Sequence, residues 1–141
     1  MDIKMKNFIS IIILLFGTCS VSFANIIYLE CKSYKAEMVP VKGGMKVIDN
    51  DDNPFEEFIK IDLKGRKIYL FNDLSNSFYE GWNVNWAESK IKWSQKFPDS
   101  THYYDLNRLN LEYMWETKYK NDPVLKYLRT FYNCKIKEKK F

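Results

Sequence analysis

The sequence is poor in the residues that most often carry catalysis or bind metal ions. It contains one histidine, His102, and three cysteines in 141 residues. A lone histidine cannot build a histidine-rich metal site, and a serine or cysteine nucleophile would need that same histidine as its base. Asp105 is a nearby carboxylate, but on a strand the two side chains face opposite sides. We therefore predict no catalytic residue, no metal site and no cofactor, and a surface or edge position for His102.

Glycine, proline and charge of one sign are also scarce. Five glycines and four prolines, beside 17% aromatic residues, are not typical of a disordered chain. The net charge of +4 is too small to favour nucleic acid as a partner. The lysines between Lys135 and Lys140 are interpreted as a solvated basic tail. The length suits one domain.

One stretch partly matches a calcium-binding loop. Asp49, Asp51 and Asn53 fit the first half of the D-x-D-x-N pattern. Pro54 stands where the loop needs glycine for its sharp turn, and Lys60 stands where it needs glutamate. We interpret this stretch as a solvated turn.

The N-terminus carries a short hydrophobic run. Lys4 and Lys6 precede an apolar stretch from Phe8 to Phe16, which is short for a membrane-spanning helix of about 20 residues. Ser22 and Ala24 then supply the small residues of a cleavage site, which is the layout of a secretory signal.

This layout predicts a signal peptide over residues 1–24 and a single domain over residues 25–141. The domain is then exported to the periplasm or the extracellular space, with no membrane span after cleavage. Two alternatives stay open: retention of the leader as a membrane anchor, and lipidation of Cys19.

Cleavage of the leader leaves two cysteines, Cys31 and Cys134. An even number of cysteines in an exported protein predicts a disulfide. The bridge would join the two ends of the domain, and loop-closure models give such a bond about 4–5 kcal/mol. A reactive thiol or a metal ligand is disfavoured, because neither cysteine has a CxxC partner or a nearby histidine.

Alternation of apolar and polar residues predicts an all-β fold. Seven to nine short antiparallel strands suit a small barrel or sandwich, and the absence of βαβ alternation argues against a parallel sheet. Asp122-Pro123 predicts a short helical segment near residues 123–129. The predicted strands cover residues 26–33, 57–63, 67–72, 82–87, 90–95, 102–106, 111–116 and 130–136, and two short extended pieces cover residues 37–41 and 45–48.

The positions of the two cysteines bear on the closure of the sheet. Cys31 lies on the apolar face of the first strand, and Cys134 lies on the apolar face of the last. If both point inward, the first and last strands are neighbours. Closing the sheet into a barrel does this and also removes the exposed edges.

The four tryptophans of the chain suggest either a core or a sugar-stacking surface. Core packing is favoured because most of them fall in register with Val84 and Ile91. Gly81 interrupts the strand pattern, which predicts exposed aromatic rings beside it. Tyr79 and Trp82 are therefore the predicted ligand-binding residues.

Three short motifs carry a resemblance. They are Leu29-Glu30-Cys31-Lys32, Leu106-Asn107-Arg108-Leu109, and Cys134 followed by a basic tail that ends in Phe141. In this layout the chain resembles small exported proteins of unknown function from bacteria with AT-rich genomes, which implies no activity or site residues. In architecture it is also similar to periplasmic inhibitors of C-type lysozyme, and that similarity implies a small β-barrel with a disulfide between early and late strands.

These observations favour a non-enzymatic periplasmic binding or inhibitor-like module. Its partner would be a protein, a glycan or a small ligand. The alternatives are a small periplasmic hydrolase with a carboxylate-based site and a structural envelope protein. A cleft with two facing carboxylates of shifted pKa would favour the hydrolase.

Overall fold

The computed structural model describes residues 25–50 and 52–138. The predicted signal peptide, Cys19, Asp51 and the end of the basic tail lie outside the described residues. Antiparallel strands make up most of the described chain, in agreement with the all-β prediction. The strands are β1 (Ile26–Pro40), β2 (Lys46–Asp49), β3 (Glu56–Asp62), β4 (Lys67–Asn72), β5 (Ser77–Glu80), β6 (Asn85–Trp86), β7 (Lys90–Lys96), β8 (Ser100–Asn107), β9 (Glu112–Tyr119) and β10 (Leu125–Lys137).

The strands form one curled antiparallel sheet, a half-barrel. Their order is β5-β4-β3-β1-β10-β9-β8-β7-β6, and β2 pairs with the C-terminal half of β1. The first and last long strands therefore lie together in the middle of the sheet. Their ladder has register shifts between Ser33 and Lys35 and between Val39 and Pro40. Such irregularities increase the local twist and help a sheet to curl.

The inner face of the curled sheet carries the hydrophobic core. Alternate residues of each strand point to it, as the period of two in the sequence predicts. At one end of the half-barrel it is filled by fully buried aliphatic side chains, namely Leu29, Ile59, Ile68, Ile91 and Leu106. We use "inner face" for the face that these residues share and "outer face" for the other.

The Gly81–Trp82 segment joins the two ends of the sheet. Gly81 N–H donates to the Ile68 carbonyl of β4 (2.8 Å), and Ser94 N–H of β7 donates to the Trp82 carbonyl (3.1 Å). A Cβ added at Gly81 would lie 2.8 Å from Ile68 Cγ2 and 3.0 Å from Trp93 Cδ1. Glycine is needed here because the backbone passes so close to core side chains.

The predicted disulfide is present on the inner face. Cys31 of β1 and Cys134 of β10 are register partners with Cα atoms 4.0 Å apart and an S–S distance of 1.99 Å. The prediction that the first and last strands are neighbours is therefore confirmed.

The predicted helical segment near 123–129 is wrong. Strand β10 begins at Leu125, and Leu128 pairs with Met38 of β1. Asp122 does accept hydrogen bonds at Oδ1 from the N–H groups of Val124 (2.8 Å) and Leu125 (2.7 Å). These are the bonds of a helix N-cap, but they close an Asx turn because β1 and β9 offer the next residues a ladder on both sides.

The segments predicted over 37–41 and 45–48, over 57–63 and 67–72, and over 102–106 and 111–116 pair as antiparallel hairpins. The sheet also contains β5, for which no strand is predicted. The two pieces predicted over 26–33 and 37–41 are one strand, β1, and residues 33–35 between them contain the first register shift.

Candidate functional site

At the end of the half-barrel away from the aliphatic core, the inner face is open and forms a cleft of about 680 Å³. Its walls come from the beginnings of β3, β8 and β10, the end of β9, and the loops that precede β3 and follow β4. We call this space the cleft. It is lined by Pro54, Phe55, Glu56, Glu57, Asp73, Ser100, His102, Trp115, Thr117, Tyr119, Leu128, Thr130 and Tyr132.

Strand periodicity carries polar and aromatic side chains into the cleft. Glu57 shares the inner face of β3 with Ile59, and His102 shares the inner face of β8 with Leu106. Because side chains alternate along a strand, a polar residue two positions beyond a core residue is still aimed inward. Strands β3 and β8 thus each have an apolar half in the core and a polar half at the cleft.

Glu57 lies deepest among the acidic groups of the cleft. It is opposite Cys31 in the β1–β3 register, beside the disulfide. Burial, together with the smaller effect of the negative charge of Asp73, raises the pKa of its carboxyl from the ordinary 4.5 to about 7. Among the described residues, no basic side chain forms an ion pair with Glu57.

Other acidic side chains of the sheet do have basic partners. Lys35 lies 3.2 Å from Glu37, and Lys67 lies 3.5 Å from Glu80. The neighbour of Glu57 in sequence, Glu56, lies 3.7 Å from the Lys32 ammonium. Glu57 therefore differs from these carboxylates in being turned toward the cleft without a counter-ion.

Tyrosines surround Glu57 at the floor of the cleft. Tyr104, Tyr113 and Tyr132 are all buried, and burial raises the pKa of each hydroxyl, with the charge of Glu57 as a further cause. The hydroxyls are therefore protonated at neutral pH and can donate hydrogen bonds. Trp93 stacks on Tyr104 and on Tyr113, with ring centroids 5.0 Å and 6.0 Å apart.

Three buried donors on the inner face have no hydrogen-bond partner in the described structure. One is the indole Nε1 of Trp115, which lines the cleft, and the others are the Tyr113 hydroxyl and the Trp93 Nε1, which lie behind the lining. A buried donor without a partner is costly and often marks a place where a ligand or water completes the bonding.

His102 lies half-buried on the inner face of β8, where it lines the cleft. Its ring is 4.7 Å from that of Phe97 and 5.5 Å from that of Trp115, and its Nδ1 lies 3.4 Å from the Tyr104 hydroxyl. Burial lowers the pKa of His102, so the imidazole is neutral at pH 7. Asp105 is on the outer face, where it pairs with Lys92 at 3.6 Å.

The predicted ligand-binding residues, Tyr79 and Trp82, do not line the cleft. Tyr79 is on the inner face of β5 and 39% exposed; its hydroxyl pKa is raised by burial and by Glu57, and lowered by an interaction with Tyr104. Trp82 is 65% exposed in the segment that joins the sheet ends. The structure therefore brings Tyr79 to the edge of the Glu57 cluster and leaves Trp82 apart from it.

The stretch that partly matches a calcium-binding loop is held against β1 by hydrogen bonds to Ser33. Ser33 Oγ accepts the N–H of Phe55 (2.7 Å) and lies 3.3 Å from Asn50 Nδ2, which fastens the loop to β1. This places Phe55, which is 62% exposed, at the mouth of the cleft. No group of three or more histidine, cysteine or carboxylate side chains in residues 25–50 and 52–138 is placed to hold a metal ion.

Glu57 is not among the site residues predicted from the sequence. A signal was available, because Glu57 precedes Ile59, Ile61 and Leu63 on the apolar face of a predicted strand. A carboxylate on such a face is unusual and points to a site. No comparable signal exists for Asp73, which reaches the cleft from a loop.

The chain was compared with protein-family models, with curated proteins and with solved structures, and none of these comparisons finds a match. Within the described part of the chain, no helix is long and apolar enough to cross a bilayer. The chemistry of the cleft is therefore the basis on which a function is argued.

Proposed function

We propose that this protein is an exported, non-enzymatic binding module whose ligand occupies the cleft. The observation that carries the proposal is an open, preformed space of about 680 Å³ that combines aromatic walls with a few inward polar groups. Clefts of this size and lining are typical of small-molecule sites. The unpartnered indole N–H of Trp115 in the wall of the cleft supports it, because a bound molecule can supply the missing acceptor.

The disulfide supports the proposed compartment. Bonds of this kind persist in oxidising spaces outside the cytosol, and Cys31–Cys134 is the pair that remains after the predicted leader is removed. Periplasmic or extracellular location, and removal of residues 1–24, are part of this proposal.

Capture of the native ligand tests the binding function. The domain would be purified from the exported fraction without denaturation, then unfolded, and the released small molecules identified by mass spectrometry. We expect one compound, or one chemical family, to be released in near-stoichiometric amount. Release of nothing above the level of a control protein would contradict the proposal.

A cleft-filling variant gives this experiment a matched control. Thr117→Trp places a large ring in the wall of the cleft and should abolish capture, whereas Lys118→Trp places the same ring on the outer face of the same strand and should not. If both variants, or neither, retain the compound, the ligand is not held in the cleft.

The hydrolase alternative is favoured by one specific observation. Glu57 and Asp73 line the same cleft, and the pKa of Glu57 is raised to about 7, which suits a general acid. Incubation of the captured ligand in excess with the domain separates the two functions. A binding module returns the ligand unchanged, whereas a hydrolase gives products that Glu57→Gln no longer forms.

A further inference from the structure

The cleft is acidic within a basic protein. The whole chain has 22 lysines and arginines against 18 aspartates and glutamates. The residues that line the cleft contain no lysine or arginine, and Glu57 and Asp73 are the acidic ones among them whose carboxylates are not paired on the outer face. Basic side chains are found instead on the outer face, where Lys32, for example, pairs with Glu56. The field inside the cleft therefore favours a positive ligand and disfavours an anion.

The aromatic side chains around Glu57 suit an organic cation rather than a bare ion. Trp115 and Tyr132 line the cleft. The Tyr104 ring packs against Trp115, and the Tyr113 ring packs against Tyr132. Ring faces attract ammonium groups, most strongly where water is excluded. A hard metal cation would instead need several oxygen ligands, and the described residues hold no such group.

A second, independent observation points to a ligand with hydrogen-bonding capacity. The indole Nε1 of Trp115, which lines the cleft, is a buried donor that has no hydrogen-bond partner in the described structure. A molecule with an acceptor beside its ammonium group would satisfy it.

We propose that the ligand of the cleft is an organic ammonium ion, held by the Glu57 carboxylate as counter-ion and by the surrounding aromatic rings. This inference rests on the proposed binding function and names the chemical class of the ligand. The cation supplies the charge partner that Glu57 lacks, and its apolar portion covers Trp115 and Tyr132.

Protonation of Glu57 provides an additional signature. The pKa of its carboxyl is about 7 without a ligand, and a bound cation lowers it, so binding releases protons near neutral pH. The titratable groups that face Glu57 are Asp73, Tyr79, Tyr104, Tyr113 and Tyr132. The tyrosines stay protonated in this range because burial raises the pKa of each hydroxyl. The affinity for a cation should therefore rise between about pH 6 and about pH 8.

His102, which also lines the cleft, does not compete for this role. Burial lowers its pKa, so the imidazole is neutral over most of the same pH range and neither repels nor replaces the cation.

Three matched probes test the charge of the ligand. Phenethylamine, 2-phenylethanol and 3-phenylpropionate share one ring and nearly one length, and they are cationic, neutral and anionic. Binding to the complete mature protein would be measured at about pH 8 by calorimetry and by tryptophan fluorescence, to which Trp115 in the cleft wall contributes. We expect the amine to bind about tenfold or more tightly than the alcohol, and the acid to bind most weakly.

Two variants test whether the preference for a cationic ligand depends on Glu57. Glu57→Gln should weaken amine binding by about tenfold or more and bring the amine close to the alcohol. Glu80→Gln removes an equal charge from a residue that does not line the cleft and pairs with Lys67, and it should leave both affinities unchanged. If Glu57→Gln does not fold, the pH dependence of amine binding to the wild-type protein decides, and a flat profile overturns the inference.

The outcomes separate this inference from the proposed function. If the alcohol binds as tightly as the amine, or if none of the probes binds, the ammonium assignment is overturned, while capture of a native ligand in the cleft still supports the binding function. If the captured native compound is itself neutral or anionic, the binding function stands and the ammonium assignment falls. If no native ligand is captured but the amine binds in a Glu57-dependent way, the chemistry of the site stands.

Discussion

Glu57 shows how one residue can carry a site that composition alone hides. Its neighbour Glu56 has the same side chain and an ion-pair partner, yet the alternation of β3 sends the two carboxylates to opposite faces. The carboxylate of Glu57 points inward, where tyrosine rings replace water and no basic side chain of the described residues pairs with it. Its raised pKa follows from that exchange.

The raised pKa of Glu57 makes stability depend on pH. In the folded protein the carboxyl holds its proton up to about pH 7, whereas in the unfolded chain it loses it near 4.5. Since the folded state binds more protons between these values, the contribution of Glu57 to the free energy of unfolding falls as pH rises through this window. Each pKa unit corresponds to about 1.4 kcal/mol, so the loss is at most about 3.5 kcal/mol and less with solvent screening.

Glu57→Gln should remove this slope. Compared with the wild type, the variant is expected to gain more stability at about pH 8 than at about pH 5. Urea unfolding of both proteins at the two pH values measures the difference, and the subtraction removes the opposite contribution of His102, whose lowered pKa makes stability rise with pH. Parallel pH profiles for the two proteins would show that Glu57 titrates normally.

Gly81 and Trp82 are adjacent residues with opposite predicted sensitivities. Gly81→Ala brings a Cβ to 2.8 Å from Ile68 in the core, and we expect a loss of about 1–3 kcal/mol from overpacking. Trp82→Ala removes an exposed ring and keeps the backbone carbonyl that accepts from Ser94, so a change within about 0.5 kcal/mol is expected.

Thermal and urea unfolding of the two variants test this contrast. A larger loss for Trp82→Ala would mean that its ring is part of the core. The same variant tests the sequence-based prediction that Trp82 binds the ligand: retained stability with weakened capture would support that role, and unchanged capture would confine binding to the cleft.

At the scale of elements, short-range patterns were sufficient for most strands. The β3–β4 hairpin follows from alternation of Ile59 and Ile61 and from the turn at Lys64-Gly65-Arg66. Arg66 takes a positive φ of 52° within that turn. These signals are local, so they need no knowledge of the neighbouring strands.

The wrong prediction of a helix near residues 123–129 shows the limit of local sequence patterns. Asp122-Pro123 starts a helix or an Asx turn with the same hydrogen bonds, and only the neighbouring strands β1 and β9 decide between them. The cleft was beyond prediction for the same reason. Glu57, His102 and Tyr132 lie on three strands that are far apart in sequence, and the sheet order brings them to one end of the inner face.

The disulfide joins the two longest strands, and its loss should destabilise the whole domain. Cys31 and Cys134 are separated by 103 residues, for which loop-closure models give about 4–5 kcal/mol. Cys31→Ser and Cys134→Ser should each lower the unfolding midpoint by a similar amount, and the double variant should add little because each single variant removes the same bond.

A thiol assay on the unfolded, unreduced protein checks the bond directly. No free thiol is expected from the mature chain. Two free thiols per chain, or additive losses in the double variant, would contradict the bridge.

At the scale of the molecule, the pairing of β1 with β10 in the middle of the sheet determines where the cleft forms. Because β1 and β10 are adjacent, the open edges belong to β5 and β6, which are consecutive along the chain. The Gly81–Trp82 segment connects these edges and forms one hydrogen bond with β4 and one with β7. The sheet can then curl around its core at one end and stay open at the other, which leaves room for a ligand.

Cleavage after Ala24, which stays a prediction, would leave every described strand intact. Strand β1 begins at Ile26, and the Asn25 carbonyl accepts a hydrogen bond from Leu63 N–H at 2.7 Å. A chain that starts at Asn25 therefore keeps the first backbone bond of the sheet. Cleavage further along, within β1, would remove ladder partners of β3 and expose inner-face residues.

We expect the exported protein to begin at Asn25 and to contain one disulfide. Its intact mass should match residues 25–141 less two hydrogen atoms, and reduction should restore those two atoms. A mass that includes residues 1–24 would indicate a retained anchor, and a chain that begins at a lipid-modified Cys19 would indicate a lipoprotein. Either result would contradict cleavage at Ala24, whereas the described strands, the first of which begins at Ile26, would keep all the contacts that form the cleft.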